Sequence, residues 1–169
     1  MAFNIGWHVL YVKSRWEKKV HESLGEISLE SFLPQLKTVK QWSDRKKIIL
    51  KPLFPSYVLV NINSSLEFHK ALSVNGASAF IRFGKEYARV TEKEINQIKF
   101  LIENTDAEKI EVDAELPKIG EIKKITHGPL SGLECEVLKT GNVNKIIVRI
   151  HSLQQNMIAS FSNKYLQYD

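Results

Sequence analysis

Residues 103–115 read ENTDAEKIEVDAE, six acids against a single lysine with almost no large apolar side chain. A stretch of that composition buries too little apolar surface to offset the entropy of ordering it, and its self-repulsion favours an extended linker. It constrains the fold more than any other feature, because the chain on either side must then build its own core. The expected division is a first domain over 1–103, an acidic linker over 104–116 and a second domain over 117–169.

The two sides differ in texture. WHVLYVK, residues 7–13, is apolar on both alternating faces, as a strand is when a sheet is covered on both sides. Trp16, Val20, Leu24 and Ile27 then recur at helical spacing among charged residues, predicting an amphipathic helix packed on that strand. Residues 32–50 predict two strands joined by a turn at Ser43, Asp44 and Arg45. This hairpin carries Lys37, Lys40, Arg45, Lys46, Lys47 and Lys51. SYVLVNI predicts another strand, Ser64 or Ser65 caps a short helix through Ala71 and Leu72, and FIRFG predicts a further strand. The capping box Thr91–Glu94 opens a helix with an apolar stripe of Ile95, Ile98, Leu101 and Ile102, which closes the first domain.

Beyond Pro117 the chain turns to short β-type runs, EIKKI, LECEVLK, KIIVRI and NMIASF, punctuated by HGPLSG and TGNVN. So few residues bury a sheet best by curling it, which predicts a small β-barrel. The expected fold class is α+β: an antiparallel sheet with packed helices, a linker and a barrel.

Several function classes lack their signatures. The sequence has no glycine-rich phosphate loop and no HExxH pair, and its five histidines are scattered. Cys135 lies between Glu134 and Glu136, acids that raise a thiol pKa, so a buried strand cysteine is expected rather than a nucleophile. The expectation is a binding protein and not an enzyme, with no cofactor and no metal. No apolar run approaches the roughly 20 residues of a spanning helix, and the amino terminus lacks a signal pattern. A cytoplasmic protein without a membrane partner follows.

Net charge is +5, and all the excess lies early. Residues 1–60 hold ten Lys and Arg against five Asp and Glu, while 61–169 hold fourteen against fourteen. A basic amino-terminal region suits a polyanionic partner; it equally suits a solvated surface. In LKPLFPSYVLV, residues 50–60, Pro52 and Pro55 bracket Leu53 and Phe54. Proline fixes φ and so lowers the ordering cost of presenting an aromatic to a partner. An aromatic beside a strand also suits the interior of its own domain.

WHVLYVKSRWEKKVHESL, a following LP, the basic hairpin, PLFPSYVLV, FIRFG and the capped helix together resemble the amino-terminal domain of the NusG family of transcription elongation factors. IGEIKKITHGPLSGLECEV with KIIVRI resembles the KOW module that follows it. The PLFP form resembles the specialised RfaH and UpxY type paralogues, which implies an antitermination factor acting at surface-polysaccharide operons. The resemblance implies a ferredoxin-like first domain and an SH3-like second one. It also implies that Tyr11 and Phe54, with Leu53 and Pro55, dock on the clamp helices of the RNA polymerase β′ subunit. Lys13 and Lys19 match positions that meet upstream or nontemplate DNA, and Arg15 and Lys18 serve equally. Where RfaH places a basic residue before a glycine, this chain has Asn75 and Gly76. In the second module Leu130, Ile150 and Leu153 match positions that bind Rho or a ribosomal small-subunit protein. The expected protein is a monomer; the alternative is a KOW-containing RNA-binding protein acting on the ribosome.

Overall fold

A computed structural model of the chain describes residues 4–104, 110–113, 121–127, 134–140, 143–162 and 167–168. The chain divides into two compact units: Met1–Gln35 with Pro52–Glu92, and Leu36–Lys51 with Lys93–Asp169. The boundary therefore differs from the expected one, since the helix expected to close the first domain falls with the second unit.

The first unit is built on β1 (Gly6–Val12), which pairs antiparallel with β5 (Tyr57–Ile62) along its whole length and with β6 (Ala77–Phe80) and β9 (Arg89–Val90) on its other edge. The short β2 (Ser31–Phe32) adds to the far side of β5. The doubly apolar pattern of β1 thus has its expected cause, a central position in the sheet. Side chains alternate across the sheet. Leu10 and Val12 on β1 and Val58, Val60 and Ile62 on β5 share one buried cluster with Val20 and Leu24 of α1 (Glu17–Glu26) and Phe68 and Ala71 of α2 (Ser65–Ser73). Each fully buried aliphatic of this kind contributes about 1.5–3 kcal/mol. The opposite face carries the row Trp7, Val9 and Tyr11, with Leu59 and Tyr57 facing Val9 and Tyr11. Trp7, Val9 and Leu59 are buried, and the row opens to solvent only at its Tyr11 end.

Helix α2 starts where a serine satisfies its first turn: the Ser64 hydroxyl accepts from the Glu67 backbone N–H at 3.2 Å. FIRFG does not form one strand. Arg82–Phe83 (β7) turns back on Glu86–Tyr87 (β8), with Gly84 in the left-handed region at φ 63°, so the glycine makes a tight hairpin where a continuous strand was expected.

In the second unit, β3 (Gln35–Gln41) and β4 (Lys46–Pro52) form the expected hairpin, a two-stranded sheet of its own. Helix α3 (Glu92–Asn104) buries Ile95, Ile98 and Leu101, and its Glu94 carboxylate accepts from the His151 backbone N–H at 3.0 Å. A six-stranded sheet runs in the order β10 (Ile110–Asp113), β14 (Gln155–Ser162), β13 (Val143–Ile150), β12 (Glu134–Thr140), β11 (Glu121–His127) and β15 (Gln167–Tyr168). β10 corrects the linker expectation. Ile110 and Val112 alternate with Glu111 and Asp113, and the segment pairs antiparallel with β14 from Ile110↔Ala159 to Asp113↔Asn156. Period-2 patterning over four residues outweighed the acidic average of the longer stretch. Cys135 is buried within β12, as expected. Arg149 crosses from β13 to donate to one oxygen of the Glu136 carboxylate and to Asn156 Oδ1 at 3.3 Å, joining three polar side chains of neighbouring strands.

Candidate functional site

The Tyr11 end of the sheet collects most of the residues singled out in the sequence. Tyr11 is 44% exposed although every β1 neighbour from Trp7 to Val12 is buried. Its register partner on β5 is Tyr57, and the two rings meet edge to face with centroids 6.2 Å apart. Tyr57 therefore belongs to the same aromatic patch. Its membership follows from cross-strand register, which is invisible before the strands are paired.

The PLFP turn does not present its aromatic. Phe54 is 3% exposed and Leu53 7%, while Pro55 is exposed. The Leu53 backbone N–H donates to Pro34 O at 2.8 Å, and Tyr57 N–H to Phe54 O at 3.2 Å. The two prolines hold the segment as expected, yet they turn Leu53 and Phe54 inward. Of the four residues expected to meet polymerase, only Tyr11 and Pro55 are surface groups. The turn closes at Ser56, in the left-handed region at φ 67°, whose N–H donates to the carboxylate of the buried Glu17 at 2.8 Å.

Just past Tyr11 the chain places its cations. Lys13 N–H donates to Gly76 O at 2.9 Å, bringing the end of β1 against the loop after α2. Trp16, at the start of α1, lies over that loop: a Cβ on Gly76 would come within 2.7 Å of Trp16 Cε3 and 3.0 Å of Val20 Cγ2. Gly76 itself has φ 98°. The Trp16 ring gathers two ammonium groups, Lys19 Nζ at 4.3 Å from its centroid and Lys13 Nζ at 5.2 Å. Such contacts are worth about 0.5–1 kcal/mol at exposed sites and restrict where the charges sit. Lys18 instead pairs with Glu22 one turn on, at 3.9 Å. Arg15 is exposed on a left-handed backbone at φ 68°. The spacing of the helix left open which lysine joins Lys13; the structure brings Lys19 to it.

Of the positions expected to bind a partner of the second module, Ile150 is fully buried and Leu153 is 7% exposed, so neither is a surface group. Leu130 lies outside the described residues. Among the described residues no cluster of His, Cys, Asp and Glu could hold a metal ion, and no helix is long and apolar enough to cross a membrane.

The family model described as transcription termination factor nusG matches residues 6–99, more than half of the chain. The chain belongs to the NusG family. It is accordingly a member of a family of transcription factors. No curated protein matches it significantly. Among solved structures, this NusG-family chain is similar to Thermotoga maritima NusG, in a structure titled "Domain interaction in Thermotoga maritima NusG", with 20% identity over 97% of both chains and a TM-score of 0.52, a likeness of fold. Two structures of the MjSpt4:Spt5 complex, conformations A and B, match 96% of this chain at 9% and 10% identity, with TM-scores of 0.33 and 0.34 and 97% and 95% of those chains covered.

Proposed function

We propose that this NusG-family protein is a transcription elongation and antitermination factor of the RfaH and UpxY type. It docks on the clamp helices of the RNA polymerase β′ subunit through an aromatic patch centred on Tyr11. The observation that carries the reading is the exposure of Tyr11 at the one open end of an otherwise buried row, with Tyr57 against it and the Lys13, Trp16 and Lys19 cluster immediately beyond. A pre-ordered aromatic beside fixed cations suits a protein pocket next to nucleic acid.

In this reading Tyr11 is the anchor and Tyr57 its neighbour, while Leu53 and Phe54 act from beneath by fixing the turn before β5. Lys13 and Lys19 contact phosphates of upstream or nontemplate DNA, with Arg15 and Lys18 as outer charges. By bridging the cleft the protein suppresses pausing and termination. Residues 117–169 act as a KOW module, curled as an SH3-like barrel, that recruits Rho or a ribosomal small-subunit protein through surface residues other than Ile150 and Leu153. The PLFP form supports the specialised subgroup and hence surface-polysaccharide operons as targets. The protein acts as a cytoplasmic monomer without catalysis or cofactor.

The test is binding of the full chain to core RNA polymerase and to an isolated β′ clamp-helix fragment, at two salt concentrations. Wild type binds both, and Tyr11→Ala binds each about tenfold or more weakly while keeping its fold. Wild-type binding to neither, with affinity for structured ribosomal RNA, would replace this reading with the ribosomal one.

A further inference from the structure

We infer that the β3–β4 hairpin is a second protein-docking element, which seats on a surface of RNA polymerase having an apolar centre and an acidic rim. The inference rests on the polymerase-binding reading above. Nine large hydrophobic residues are exposed among the described residues, and four of them lie on this one hairpin: Val39 at 57%, Trp42 at 55%, Ile48 at 68% and Leu50 at 48%. Scattered exposed apolar residues need no explanation, but a concentration of them on one element does. Ile48 and Leu50 flank the half-buried Ile49, and Val39 adjoins the half-buried Thr38, whose hydroxyl donates to Ile49 O at 3.1 Å. The alternation thus leaves an apolar face open to solvent.

Charge narrows the partner. The hairpin carries Lys37, Lys40, Arg45, Lys46, Lys47 and Lys51 against Asp44 alone. A nucleic-acid backbone would engage the cations and leave the aliphatic face unused. A lipid surface would take both, but the tip that would enter it first is the polar Ser43–Asp44, held where Trp42 N–H donates to Arg45 O at 2.8 Å. An apolar centre ringed by cations matches a protein surface of the opposite pattern, with acids at the rim setting register and on-rate. The hairpin also forms a sheet of its own, and two strands alone are marginal in water, so docking would add order to it.

The experiment compares the full-length wild type, Ile48→Ser with Leu50→Ser, Lys46→Glu with Lys47→Glu, and Tyr11→Ala for binding to core RNA polymerase. It adds photo-crosslinking from a photoreactive phenylalanine analogue at position 42 in a polymerase complex on DNA. The two hairpin variants bind about tenfold more weakly with unchanged circular dichroism, and the crosslinks form to a polymerase subunit. Hairpin variants that bind like wild type while Tyr11→Ala is weakened, or crosslinks to DNA alone, overturn this inference and leave the polymerase reading standing. Loss in the same variants of wild-type binding to anionic phospholipid vesicles, with polymerase binding intact, overturns it in favour of a membrane. A wild type that does not bind polymerase overturns both.

Discussion

The carboxylate of Glu17 accepts the backbone N–H of Ser56 at 2.8 Å, tying the first turn of α1 to the turn that follows Phe54. Glu17 is 5% exposed, so this bond holds a strained left-handed residue at the base of the Tyr11 patch from within the fold. Glu17→Ala leaves the Ser56 N–H without that acceptor and is expected to lower stability by about 1–3 kcal/mol. Glu17→Gln keeps an acceptor oxygen and loses less. Urea unfolding of the two variants checks the order, and equal losses would show that the bond contributes little.

Among the described glycines, Gly76 is the least able to accept a side chain. Its φ of 98° disfavours any L-residue, and an added Cβ would strike the Trp16 ring at 2.7 Å. Gly76→Ala is expected to destabilise by about 1–3 kcal/mol through overpacking and strain. The same change made together with Trp16→Leu costs less than the sum of the two, because the clashing ring is gone. A double-mutant cycle on unfolding free energies measures this.

Burial lowers the pKa of His8, with Arg89 lowering it further against the raising effect of hydrogen bonds to Asn4 and Ala88. Burial lowers that of His21 as well, against a smaller raising effect of Glu22. Both folded values lie below the ordinary 6.5, so the unfolded chain takes up protons first as the pH drops. Their contribution to stability is therefore complete above pH 6.5, declines as the pH falls below it, and levels off beneath the folded values. The urea midpoint followed from pH 8 downward should show that decline, and it should be shallower in His8→Gln.

Salt dependence separates the three candidate lysines. Lys13→Gln and Lys19→Gln are each expected to reduce the slope of log affinity for DNA against log salt by about 1. Lys18→Gln should change it less, since Lys18 already faces Glu22. Titrations of the wild type and each variant on one DNA duplex at several salt concentrations provide the slopes, and a larger effect at Lys18 would reverse the assignment.

Patterns that depend on local periodicity were legible in the sequence. The doubly apolar run at 7–13 announced a central strand, Val20 and Leu24 announced the buried stripe of α1, Ser64 was one of two caps foreseen, and the polar triplet at 43–45 announced the hairpin turn. Each signal lies in neighbouring residues whose side-chain spacing reports the period of the element, as sterics and hydrogen bonding require. The segment at 110–113 was misread because composition was averaged over a window longer than the strand it held.

What tertiary structure decided was direction and company. Phe54 and Tyr11 are both aromatics beside strands, yet the PLFP turn folds Phe54 inward while the β1–β5 register leaves Tyr11 at the open end of its row. Lys18 and Lys19 are adjacent in sequence, but about 100° apart around a helix, so only Lys19 reaches Trp16. Residue identity and spacing set which elements form, because those are local free energies. Exposure and partnership depend on contacts between residues tens of positions apart, which exist only once the sheet is paired and the helices are packed against it.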